Sequence, residues 1–418
     1  MEQQAFALYV GIDRGTRPHE YAVTFMILRP AGIPAGPAGG GAGGGGGGGG
    51  GASTQGTTMT TTIQAPSILR AESLASTYVR RRVVLSQTVA ILVGLPLAEH
   101  GLGPLLDQLT RHREIRRSDI FAVAAPDAVS LFDRAQPPLE ANPVAYLQNI
   151  RQLQSTEGWV PPSTVETLLQ GIENRSSDAV VMLDSVSAAA RPGSGVSSRP
   201  DEVPRPGTST SQTGRTLPYA GGGNPASAYG AVVFSADRAV GILSEQQTVI
   251  WNALVGHLSR AVVPVADPHN PSADDELVLF ARRRPRVAVQ ISGQGRAQVA
   301  VTVPLRVTLA AQGASTGRYA VNSAAARRLE AATAGMLDRQ AAALIRRAQT
   351  EWHADIFGFG LDAAALFPTR ETLQAYDWNR HFPSARITAR FLVQLVSTGR
   401  QLGTPTAGAQ PLHTAGSR

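Results

Sequence analysis

The chain has 418 residues, 43% of them hydrophobic, enough to bury real cores and to favour two or three domains over one. It contains no cysteine, which excludes disulfides, thiolate nucleophiles, cysteine-held zinc or iron–sulfur centres and lipidation of a cysteine within this sequence. All 38 basic residues are arginine and outweigh 31 acids by +7, a balance that makes phosphate-rich partners worth considering but does not speak to fold.

Alternating apolar residues at 6–12 and 21–27 predict a β-hairpin around the turn-forming stretch 13–18. A chain that opens inside a strand is expected to have lost residues that preceded it, and its start shows no signal-peptide pattern. Residues from about 31 to 58 are mostly Gly, Ala, Pro and Thr, with unbroken glycine over 43–51, and are expected to be a disordered insertion. Structure is predicted to resume with a short strand at 60–64 and a helix over 67–80 carrying Ile68, Leu69, Leu74 and Val79. The apolar runs at 83–85 and 89–93 read as buried strand, 101–113 as an amphipathic helix and 120–124 as another strand, an α/β rhythm. Further helices are predicted at 143–154 and 165–173, and a strand at 179–183, where the first domain is expected to close.

The Ser, Pro, Gly and Thr content of 187–224 predicts a linker. Beyond it come a hairpin around Ala236-Asp237-Arg238 and a helix over 244–258. Period-two runs at 287–291 and 299–309, joined by Ser292-Gly293-Gln294-Gly295, predict an antiparallel sheet, with a long helix over 324–353 packed across it. In the last strand Ile387, Ala389, Phe391, Val393 and Leu395 form the dry face. No apolar stretch reaches the roughly 18 residues of a membrane-spanning helix. The fold class predicted is α+β, a multidomain mixed α/β protein with largely antiparallel sheets packed by helices and a C-terminal sheet covered by one long helix. The domains predicted are 1–186, the linker 187–224, a second region 225–403 with a possible division near 280, and a disordered tail 404–418.

Several phrases in this order resemble the Ger(x)C family of spore germination proteins. The opening hairpin carries Val10-Gly11-Ile12-Asp13 and Tyr21-Ala22-Val23-Thr24, and the middle Leu97-Ala98-Glu99-His100-Gly101-Leu102. The second half opens with 231–234 and Val240-Gly241-Ile242-Leu243. The C-terminal part is similar to the family's closing signature in Trp352-His353-Ala354-Asp355-Ile356-Phe357-Gly358-Phe359-Gly360, Leu366-Phe367-Pro368, Asp377-Trp378 and Phe382-Pro383. The resemblance covers about three-quarters of the chain. It implies a non-catalytic, lipid-anchored C subunit of a nutrient germinant receptor on the outer face of the spore inner membrane, beside polytopic A and B subunits. No cofactor, metal or nucleic-acid partner is implied. Two departures stand out: the family's leader and lipid-modified cysteine are not in this sequence, and Gln87 stands where a histidine is expected.

Chemical alternatives remain weak on the residues. Gly293-Gln294-Gly295 and the glycine run lack the strand-to-helix setting of a phosphate cradle. Asp355 beside His353, or Asp13, offers an acid–base group for a hydrolase, and the arginine content offers a nucleic-acid binder. The dense aromatic group near the C-terminus is expected either to be core or to present a docking patch for a membrane subunit. The candidate interface residues are Phe357, Phe359, Tyr376, Trp378 and Phe382.

Overall fold

The computed structural model describes residues 4–29, 58–134, 149–150, 152–154, 156–174, 176–186, 226–268, 274–311 and 321–398. Predicted features in the glycine-rich insertion up to 57, in 187–224 and in 404–418 lie outside these residues, as does most of the predicted helix at 143–154.

The first sheet is built from β1 (Gln4–Arg14), β2 (Tyr21–Leu28), β3 (Thr58–Ala65), β4 (Arg82–Val84), β5 (Ala90–Gly94), β6 (Ile120–Ala125), β7 (Val180–Val186), β8 (Ala226–Ser235) and β9 (Arg238–Leu243). Its order is β3-β2-β1-β5-β6-β7-β8-β9, with β4 also paired to β1. The four central strands run parallel and the flanks antiparallel. Parallel centres are covered on both faces, and so β5 and β6 are unbroken apolar runs buried at every position. One face holds Val10, Ile91, Phe121, Val123 and Val181, the other Leu92, Ala122, Ala124 and Met182.

The helices start where local chemistry satisfies their first N–H groups. Ser67 caps α1 (Ile68–Val79), and Thr164 with Thr167 forms a capping box on α5 (Val165–Glu173). The predicted helix over 101–113 is α3 (Gly103–Arg111), and a short helix that was not predicted, α2 (Leu95–His100), precedes it and ends at Gly101 with φ +121°. Between them and α5 lies α4 (Ala128–Arg134). The sheet does not close at β7. The hairpin β8–β9, on the far side of 187–224, extends it, because β8 pairs with β7 over Val180↔Val233 to Val186↔Ala226.

After β9 comes α6 (Glu245–Val255), capped by a Ser244/Gln247 box. The second sheet then forms from β10 (Arg260–Ala266), β11 (Asp274–Ala281), β12 (Arg286–Ile291), β13 (Ala297–Ala311) and β14 (Arg386–Ser397). The possible division near 280 falls inside β11, which pairs with both β10 and β13, so the sheet is continuous there. The predicted glycine turn joins β12 to β13, with Ser292 accepting from Arg296 and Gly295 at φ +76°. β13 is long enough to pair with β12 and β11 in succession on one side and with β14 on the other. β14 lies parallel to β13, which its alternation alone did not reveal.

Helix α7 (Ala324–Arg347) covers the dry face through Leu329, Thr333, Leu337, Ala341 and Leu344. It also reaches the free edge of β14. The Phe391 N–H donates to Asp338 Oδ1 at 2.8 Å and the Leu395 N–H to Glu330 Oε1 at 2.7 Å. Two carboxylates eight positions apart therefore close an edge that would otherwise be open to another strand. Replacing Asp338 by Ala leaves the Phe391 N–H without its acceptor, and chemical denaturation should show a loss of about 1–3 kcal/mol. An unchanged midpoint would show the edge contact to be energetically idle.

Candidate functional site

The C-terminal signature folds around one carboxylate. α7 ends in a π turn, Ala348–Trp352, and His353 enters the left-handed region at φ 51°. That reversal drops Asp355 into the protein, where it is 1% exposed. Its Oδ1 accepts N–H bonds from Phe357 and Gly358, both at 3.1 Å. Its Oδ2 accepts from the Gly360 N–H and the Trp378 indole N–H, both at 2.8 Å. Burial pushes the carboxyl up to about 6 against the pull of these donors.

The same residue joins the two halves of the chain. Its backbone N–H donates to Asp178 Oδ2 at 2.8 Å, and its carbonyl accepts the Asp178 N–H at 2.9 Å. The other oxygen of Asp178 takes the N–H of Ala236, in the β8–β9 turn, at 3.1 Å. Nearby the Trp251 indole on α6 donates to the Ile356 carbonyl at 2.6 Å. Arg347 stacks 4.5 Å from the Trp352 ring and bonds the Ile242 carbonyl and Gln247, so the end of α7 is held to β9 and α6 as well. At Gly360 an added methyl would collide with the Ser176 carbonyl and the Trp378 ring, and only glycine fits.

Around this junction short helices follow: α8 (Phe359–Ala364), α9 (Arg370–Tyr376) and α10 (Trp378–His381). They place the candidate interface residues mostly inside the protein. Phe357, Phe359, Trp378 and Phe382 are buried in the second core, and only Tyr376 is half-exposed. The cause is the carboxylate: Trp378 must turn inward to reach Asp355, and Phe357 and Phe359 stack on each other at 5.1 Å where their backbone wraps it. The Tyr376 hydroxyl donates to the Gly295 carbonyl at 2.8 Å. The exposed apolar side chains of this segment are instead Leu361 and Leu366, with Phe367 half-buried against Tyr376.

An open cleft of about 1010 Å³ lies along the junction, walled by Ser176, Asp178, His257, Phe357, Arg370 and Trp378 among others. The acid–base groups weighed from sequence are not brought together. His353 is exposed while Asp355 is buried beneath its donors. Asp13 is spent on α4, accepting the Ala128 and Val129 N–H groups at 2.9 and 3.1 Å, and Gly94 makes room for it. Among the described residues no group of three His, Asp or Glu side chains is placed to hold a metal. What this arrangement does is fix backbone.

A family model described as "Spore germination protein N-terminal domain" matches residues 1–183, and one described as "Spore germination B3/ GerAC like, C-terminal" matches 229–399. Among solved structures the chain is similar to one described as "Crystal Structure of the GerBC protein", with a TM-score of 0.52 over 93% of this chain and 96% of that one. The identity is 14%, so this is a likeness of fold. No curated protein matches the chain.

Two carboxylates yield contrasting tests. Asp355→Ala strands four N–H donors and should lower unfolding stability by about 3–5 kcal/mol, whereas Trp378→Phe, which removes the indole donor and a little volume, should cost about 2 kcal/mol. A fully stable Asp355→Ala protein would remove the carboxylate from the account of the fold. Asp184 on β7 is 5% exposed, its Oδ1 has no partner among the described residues, and burial pushes its carboxyl up to about 7. The folded state holds this proton more tightly than the unfolded chain does. Its stabilisation is therefore complete below about pH 4 and is lost as the pH rises towards 7. Thermal melts from pH 4 to 8 should show that slope in the wild type and a flatter profile in Asp184→Asn.

Proposed function

The chain belongs to the GerAC-like family of spore germination proteins, and on that premise we propose that it is the C subunit of a germinant receptor, acting by contact with its partners in nutrient-triggered germination. The observation that carries this reading is the matching of both halves, in order, to the two parts of one family over 1–183 and 229–399. The polytopic A and B subunits are the partners proposed, and the outer face of the spore inner membrane the place. No helix among the described residues is long and apolar enough to cross a membrane, so membrane attachment in this reading is peripheral or by a lipid.

The site chemistry supports a holding role. Asp13 and Asp355, the acids that looked most available in the sequence, are occupied with backbone N–H donors, and so is Asp178. The buried aromatic group serves as the foundation of a docking ledge, and the contact surface proposed is Leu361, Leu366, Phe367 and Tyr376. Apolar side chains standing out from a rigid, well-packed base are the kind that carry interface energy.

Affinity purification of the tagged protein from spore inner membranes should recover polytopic subunits with it. A Leu361→Asn/Leu366→Asn variant should fold with an unchanged melt yet lose most of that recovery. If the wild type is recovered alone, the receptor reading is wrong. If the variant still brings its partners, the ledge is misplaced.

A further inference from the structure

The second sheet has one face under α7 and one that no described element covers. Along β12, β13 and β14 the outward residues are Arg, Gln, Thr, Ala, Pro, Leu and Val, without a single acid. Strand register brings the arginines into one array. Arg286 and Arg390 flank Thr302 from the two neighbouring strands, Arg386 lies beside Gln298, and Arg306 sits between Phe280 and Gln394. Strand spacing puts the flanking pair about 10 Å apart, and Arg386 and Arg390 about 13 Å apart along β14. None of these four arginines has an ion pair among the described residues, in contrast to Arg111, Arg117, Arg260 and Arg347 elsewhere. Leu392 rises from the same face at 58% exposure, with Val396 and Phe280 nearby.

Like charges arrayed on one sheet face repel one another and give the fold nothing in return. Their complement is a surface of distributed negative charge that also accepts apolar side chains. We propose that this face docks on anionic phospholipid. Guanidinium forks take phosphate oxygens in pairs, and Leu392, Val396 and Phe280 enter the headgroup boundary between them. A single-stranded nucleic acid fits less well, because its binders offer several stacking rings and this face has one, Phe280, at its margin. The inference takes from the proposed function only that the protein works beside a membrane.

The test is flotation of the full chain with vesicles of phosphatidylcholine alone or mixed with phosphatidylglycerol. Binding is expected only with phosphatidylglycerol and should weaken steeply with salt. Each arginine near an anionic surface is worth about five-fold in affinity, so Arg286→Gln/Arg306→Gln/Arg390→Gln should bind roughly 100-fold more weakly. Leu392→Asn should also weaken it. Arg80→Gln/Arg81→Gln/Arg113→Gln, which removes the same charge from exposed or half-exposed positions near the start of β4, should bind as the wild type does. These sites are on the surface, and unchanged melts would confirm folding. Equal loss in both triple variants, no loss in either, or retention on DNA without vesicle binding overturns the proposal. Wild-type protein that ignores vesicles yet recovers polytopic subunits sinks this inference alone. Vesicle binding without those subunits leaves it standing and sinks the receptor reading.

Discussion

A carboxylate with 1% exposure that accepts N–H bonds from Phe357, Gly358, Gly360 and Trp378 sets the shape of everything after α7. Residues 353–358 have no helix or strand of their own to satisfy their donors, Gly360 lies in the first turn of α8, where N–H groups lack helical partners, and a buried segment of this kind must find acceptors or stay at the surface. Asp355 supplies them. Once it does, the π turn before it, the inward turn of Trp378 and the close pass of Gly360 over Ser176 become parts of one arrangement. Its backbone pairs with Asp178, so the packing of the second half is registered on the first.

Much of the fold was legible because periodicity reports burial directly. The alternation of Val299, Val301, Val303, Leu305, Val307 and Leu309 is the core face of β13, and Ser67 and Ser244 stand where the helix starts were expected. β10 and β11 escaped notice for a physical reason. Pro264 interrupts one, and Asp274, Asp275 and Glu276 open the other with charge, so neither shows a clean two-residue period. The parallel pairing of β14 is equally invisible, since alternation shows which face is dry and not which way a neighbour runs.

The site was legible only in part. The sequence marked the aromatic segment as important but left core and interface open, because both uses call for the same side chains. What turns Trp378 inward is a hydrogen bond to an aspartate 23 positions away, a contact with no periodic trace. Asp178 left no signal at all. Gly360 did, in the Phe-Gly-Phe-Gly pattern, where a glycine among large rings marks backbone passing close to something bulky. Leu361 passed unnoticed and Leu366 was marked only as part of a signature, because leucine on or beside a short helix is ordinary and its exposure depends on where that helix is docked.

The bond from Asp355 to Asp178 spans 177 positions, and the first sheet cannot add β8 and β9 until the chain has passed residue 243. During synthesis, then, β7 stands as a temporary sheet edge through the whole of 187–224. Its apolar run Val180, Val181, Met182 and Leu183 is exposed to whatever strand arrives first. Closing such distant contacts is slow relative to local folding. The nascent chain therefore passes through a window in which its own hairpin competes with foreign strands, and a chaperone that shields that edge would act on this protein before its last third has been made.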